Sequence, residues 1–222
     1  MTAKPKRALF FVEGNIASGK STVIKSLEAM GYTVVYEEVD DWKDRYQDVK
    51  GNNILGLFYK DMTKWSFAMQ IGVIASRFNS LLQAIKRAPT DKPIIVERSL
   101  WTDVFVFAAN LRLNGHINQI EWSIMIANYN LLFALIEPHL QEFKMRQIYI
   151  KTSPHICHQR QMERDRSEER ALSDTPQYLV DLHEGHNQWL ERENSLGYAA
   201  IVNGNQGKAT VLDKVVQLLN DK

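Results

Sequence analysis

The chain carries 222 residues, 45% of them apolar, with 27 basic against 26 acidic side chains, so its net field gives no reason to expect nucleic acid or a membrane surface as the main partner. Its single cysteine, Cys157, excludes an intramolecular disulfide and a thiolate zinc cluster and fits a reducing compartment, with the cytoplasm as default. No uncharged apolar run reaches the roughly 18 residues of a membrane span and only Met1 to Arg7 precede the first apolar run, so neither a span nor a presequence is expected; a single domain over residues 1–222 acting on small molecules is.

From the N-terminus, the pattern predicts a strand over Ala8–Val12, a glycine-rich loop, a helix over Ser21–Met30 and a strand over Thr33–Tyr36. A long helix over Met62–Lys86 and a strand over Pro93–Val96 follow, then helices over Thr102–Leu113 and Gln119–Leu135. The remaining elements are a strand over Gln147–Ile150, helices over Pro154–Glu169 and Pro176–Asn194, a strand over Ala199–Val202 and a helix over Thr210–Asn220. Short apolar strands alternating with helices predict an α/β fold, a doubly wound parallel sheet of about five strands covered on both faces.

The loop after the first strand reads Gly14-Asn15-Ile16-Ala17-Ser18-Gly19-Lys20-Ser21, two glycines at the phosphate-loop spacing followed by Lys and Ser. Between a strand and a helix, its backbone N–H groups can wrap phosphates while the helix N-terminus faces their charge. Lys20 is expected to neutralise the β- and γ-phosphates of ATP and Ser21 to ligate Mg²⁺, with Thr22 next to them. The loop alone does not name a reaction, since GTPases, motor ATPases and small-molecule kinases share it. No guanine-reading Asn-Lys-x-Asp segment occurs, and the third strand ends in Glu97-Arg98-Ser99 in place of the Asp or Asp-Glu of a motor ATPase.

With these motifs in order from Gly14 to about Trp189, the chain resembles the deoxyribonucleoside kinase family of deoxycytidine, deoxyguanosine and insect multisubstrate kinases. The family pattern Glu-Pro-Val-x-x-Trp is matched by Glu37-Glu38-Val39-Asp40-Asp41-Trp42, with Glu38 in place of Pro. The resemblance implies that Glu37 is the general base for a nucleoside 5′-hydroxyl and that Trp42 lines the pocket. A carboxylate at the C-terminal end of a strand beside the phosphate loop suits that role on physical grounds as well. By the same resemblance Gln70 binds the base edge, Tyr59 the sugar 3′-hydroxyl, Glu97 helps organise the metal, Arg98 orients Glu37, and Phe107 stacks on the base. Arg160, Arg164 and Arg166 resemble the lid over ATP, and Glu169 its carboxylate for the 3′-hydroxyl. Arg77 and Asp103 stand where the deoxycytidine and deoxyguanosine kinases carry Arg and Asp, with Val73 beside them.

The expected activity is therefore ATP- and Mg²⁺-dependent phosphorylation of a 2′-deoxyribonucleoside, favouring deoxycytidine or a purine, by a homodimer. Two alternatives share the fold: a nucleoside monophosphate kinase of thymidylate kinase type, which normally shows Asp-Arg after the third strand, and a non-catalytic structural subunit. Cys157 is expected to pack in the core, and the six histidines show no HxxxH spacing, so no metal site beyond that of the nucleotide is expected.

Overall fold

A computed structural model describes residues 7–89, 92–172 and 176–221, without the side chains of 170–172. Five strands form one sheet: β1 (Arg7–Glu13), β2 (Thr33–Val35), β3 (Ile94–Glu97), β4 (Phe143–Lys151) and β5 (Ala199–Asn203). The order is β2-β3-β1-β4-β5 and every pairing is parallel, with Val12 opposite Glu97 on one side and Ile148 on the other. Parallel neighbours need crossovers, which the helices supply.

The central strand shows why it reads as an unbroken apolar run. Leu9 and Phe11 face a core built mainly from α4 (Met62–Arg87) and α7 (Gln119–Leu140), whereas Phe10 and Val12 face a second core with α1 (Lys20–Ala29) and α10 (Lys208–Asn220). Strands sandwiched this way bury alternate residues on opposite faces and keep no polar side. Asp61 accepts from Lys64 N at 3.1 Å to cap α4, and Asn118 caps α7 in a reciprocal capping box with Glu121. Among the described residues no helix is long and apolar enough to cross a membrane.

Several predicted elements are corrected. Two helices were not expected: α2 (Val39–Arg45), where five of seven residues are charged and Trp42 alone is buried, and α3 (Ile54–Lys60), a short apolar segment capped by Asn53. The predicted helix Thr102–Leu113 starts earlier and changes pitch, running as α5 (Leu100–Thr102), a π-helical turn over Asp103–Ala108 and α6 (Ala109–Leu113). The helix expected to stop at Leu135 continues through Pro138 to Leu140, near its end.

The segment expected as one helix, Pro154–Glu169, stops at Arg164 as α8 (Pro154–Arg164), because Asp165 turns left-handed at φ 46° and ψ 47°; a 3₁₀ helix over Ser167–Leu172 follows. That reversal folds the end of the predicted lid back over the pocket, against α3. Next in the chain, α9 (Gln177–Ser195) packs against β5 and the π-helical turn.

Candidate active site

The carboxyl ends of β1, β2 and β3 open on a cavity of about 860 Å³ that extends past the phosphate loop to the turn after β5. Ligands of open α/β sheets bind at this edge. At its floor the loop is tightly folded: a Cβ on Gly14 would stand 2.6 Å from Ser18 Oγ and 2.7 Å from Ile150 O, so no larger residue fits. Ile16 to Thr22 line the cavity. Asn15 instead turns away, its amide donating to Leu179 O at 2.7 Å and its Oδ1 accepting from Ile16 N, which anchors the loop to α9.

Lys20, at the first position of α1, is buried and donates to the carbonyls of Asn15 at 2.8 Å and Gly14 at 3.2 Å. Burial lowers its pKa to about 8, helped by the charge of Arg98 and opposed by Glu97 and Glu37. Beside it the Ser21 hydroxyl donates to Glu97 Oε1 at 2.6 Å, and Glu97 Oε2 accepts from Glu37 N at 3.4 Å. A hydroxyl and a carboxylate oxygen side by side at the end of a phosphate loop are the hard donors that Mg²⁺ takes, and the pair fits that ion.

The backbone turns sharply after β3. Arg98 sits at φ 67°, a strained conformation for a long side chain on a residue other than glycine, and its N–H reaches back to Val12 O. The strain aims its guanidinium into the site, where Nη1 donates to Gly14 O at 2.7 Å, Nε lies 3.1 Å from Glu37 Oε1, and the Cζ sits 4.8 Å above the Phe107 ring. From α4, Arg77 Nη2 donates to the same Glu37 Oε1 at 3.0 Å. Burial pushes the Glu37 carboxyl up, but Arg98, Arg77 and Lys20 outweigh it and hold its pKa at about 2. Glu37 is thus a carboxylate at neutral pH.

Arg77 also grips Asp103 in a fork, Nε to Oδ2 at 2.7 Å and Nη2 to Oδ1 at 3.1 Å, and donates from Nη1 to Glu97 O. Burial raises the pKa of Asp103 and the Arg77 charge opposes it. The π-helical turn places Asp103 and Phe107 on the same wall, and such turns often re-aim side chains at sites. Gln70 and Val73 project from the same helix as Arg77, and Gln70 Oε1 is a buried acceptor with no partner among the described residues. Tyr59, whose phenol burial pushes well above its ordinary range, and Trp42 complete the walls.

The residues expected to form a lid divide in a way their spacing does not show. Arg160 donates from Nη1 to Ser18 O at 3.1 Å and from Nη2 to Gly204 O at 3.3 Å, tying the phosphate loop to the turn after β5. Arg164 and Arg166 both pair with Glu169, at 2.6 and 2.9 Å, so the carboxylate expected to meet the sugar is held by the two arginines expected over ATP.

Three features lay beyond the sequence reading. Glu13, which ends β1, is fully buried and accepts from Ser99 N at 2.8 Å and from the Thr102 hydroxyl at 2.6 Å, bracing the strained turn that carries Arg98. A lone acid closing an apolar strand next to the phosphate loop was its only signal. Gly204, Gln206 and Lys208 line the cavity beyond the loop. Their position just past a predicted strand end, at the ligand-binding edge of a parallel sheet, could have marked them. His186 is buried behind Phe107, its ring edge-on at 6.3 Å, with Nδ1 2.6 Å from Leu182 O. A histidine in a helix, here three residues after His183, carries no such signal.

Comparison with known proteins agrees with this geometry. The family model described as deoxynucleoside kinase matches residues 10–221. A Fowlpox virus protein named probable deoxycytidine kinase is 34% identical over 82% of this chain and 72% of its own length. Human deoxycytidine kinase is 30% identical over 81% of this chain and 74% of its own, and human mitochondrial thymidine kinase 2 is 28% identical over 90% and 70%. A phosphate loop, a half-buried carboxylate between two arginines and a match over nearly the whole length converge: the chain belongs to the deoxynucleoside kinase family and is an enzyme.

Proposed function

We propose that the protein transfers the γ-phosphoryl group of ATP to the 5′-hydroxyl of a 2′-deoxyribonucleoside, with deoxycytidine or a purine deoxynucleoside preferred over thymidine. The observation that carries this is Glu37 itself, a carboxylate held at the junction between the phosphate loop and the pocket of Gln70, Asp103 and Phe107 in one cavity.

Loop N–H groups and Lys20 hold the donor phosphates, and the nucleoside lies between Phe107 and the α4 wall with its base edge toward Gln70 and Asp103. Glu37 accepts the 5′-hydroxyl proton as that oxygen forms its bond to phosphorus and the bond to the departing diphosphate breaks. Tyr59 and Glu169 meet the sugar, and Arg98, Arg164 and Arg166 stabilise charge on the transferring group. Mg²⁺ bound at Ser21 and Glu97 would neutralise charge on the donor phosphates.

Base preference follows from the Arg77–Asp103 pair, which fills the space a 5-methyl group needs and offers charged partners to an amino-bearing base edge. A homodimer goes with this reading, because Ile120, Ile124, Leu131 and Leu135 form one exposed stripe along α7. A cytoplasmic enzyme of nucleotide salvage is the corresponding setting.

The test is the ratio of catalytic efficiencies for all four deoxynucleosides and for thymidine monophosphate, in wild type and in Arg77→Met with Asp103→Ala. Deoxycytidine or a purine should lead in wild type, and thymidine should gain in the double variant. Thymidine leading in wild type with no gain in the variant would remove the base preference. Transfer to the monophosphate alone would remove the nucleoside.

A further inference from the structure

Glu38 follows the candidate base directly, yet its carboxylate takes a different partner. Its Oε2 accepts the Ser76 hydroxyl at 2.5 Å, and Ser76 Oγ accepts the Trp42 indole N–H at 2.9 Å. Each donor has one direction available. An indole nitrogen only donates and a carboxylate only accepts, so the chain must run Trp42 to Ser76 to Glu38, ending on charge. Ser76 and Trp42 are both buried, and Trp42 forms part of the cavity wall. Two adjacent residues after β2, Glu37 and Glu38, therefore clip two adjacent residues of α4, Arg77 and Ser76.

We propose that Glu38 is a positioning residue for the acceptor nucleoside: by fixing the Ser76 hydroxyl it seats the Trp42 indole and sets the width of the pocket between Trp42 and α4. Without an acceptor at Glu38, the Ser76 hydroxyl can turn to the carbonyl one helical turn back, as serines in helices do. Reaching that carbonyl takes a rotation about χ1 that carries Oγ away from the indole N–H, which is buried and needs a partner. The indole has to move to find one, and the wall facing Val73 and Gln70 moves with it. A proline, the residue of the family pattern at this position, offers no such acceptor.

The inference rests on the kinase reading above, and the experiment separates the two. Steady-state kinetics of the full chain with ATP and the best of the four deoxynucleosides are measured for wild type, Glu38→Ala, Glu38→Gln, Ser76→Ala and the double alanine variant, with thermal unfolding of each. Glu38→Ala and Ser76→Ala should each raise the nucleoside KM about five- to tenfold, the range of one lost hydrogen bond, while kcat and the ATP KM hold. Glu38→Gln should stay near wild type, since its amide oxygen still accepts from Ser76, and the double variant should be no worse than Ser76→Ala.

A lower melting temperature with an unmoved nucleoside KM would show a merely structural contact and overturn the proposal, as would Glu38→Gln behaving like Glu38→Ala. If Glu38→Ala does not fold, Ser76→Ala breaks the same chain from α4 and decides. Wild type inactive on every deoxynucleoside would sink the kinase reading, and the positioning role with it.

Discussion

Replacing Glu37 by Gln removes one charge from a site that holds three cations around it. The carboxyl is shifted from an ordinary 4.5 to about 2, since Arg98, Arg77 and Lys20 together overcome the cost of burial. A depressed carboxyl stabilises the fold above pH 4.5, and that contribution is lost as pH falls toward about 2. The shift is on the order of 3 kcal/mol, and the side chain is only 18% exposed, so solvent screens little of it. The amide keeps one acceptor for Arg77 and Arg98 but gives up the charge. Thermal unfolding at pH 7 should therefore fall by up to roughly 6 to 10 °C for a chain of this size. Turnover should fall about 10²- to 10⁴-fold, the usual cost of a lost general base. Loop, Lys20, Ser21 and Glu97 are untouched, so ATP affinity by titration calorimetry should stay within about threefold. A folded variant that binds ATP and turns over at near wild-type rate would take Glu37 out of the mechanism.

Lys20→Ala should weaken ATP binding and turnover together, because the cation meets phosphate before and during transfer; unchanged affinity and rate would mean the loop is not the donor site. The Lys20 amine, lowered to about 8 by burial, should lose its charge in free enzyme as pH rises through that value. The efficiency with ATP should then decline on the alkaline side of about pH 8, and a profile flat to about pH 9.5 would refute the assignment. Gly204→Ala should destabilise by about 1 to 3 kcal/mol, because a Cβ there runs into Thr152 Oγ1 and Ile150 Cγ2. It should also weaken nucleotide binding, since the Thr152 hydroxyl it displaces holds Ser18 O; denaturant melts and ATP titration check both.

What the sequence determined by itself was whatever depends on local pattern. Five apolar runs became five strands, since a strand covered on both faces must be apolar along its length, and β1 is buried from Leu9 onward. The phosphate loop was legible because its glycines answer to backbone sterics and its Lys and Ser to phosphate chemistry, both local. Gln70, Arg77, Glu97, Asp103 and Phe107 were legible only through family motifs and Glu37 also by its place at a strand end beside the loop, and the fold brings all six to one cavity.

Tertiary structure alone decided the strand order and the partners of the charged residues. Helix α2 forms from a charged heptapeptide because Trp42 packs into the core and bonds Ser76 on another helix, a contact 34 residues away that no periodicity encodes. The break at Asp165 lets Glu169 take Arg164 as well as Arg166, whereas in an unbroken helix Arg164, five residues from Glu169, would not face it. Arg160, one turn before Arg164 on the same helix, ends on backbone carbonyls of the phosphate loop and the β5 turn. The reason is physical: backbone preference and apolar period act over a few residues, but a buried charge takes its partner from whatever the completed fold puts within about 3 Å of it.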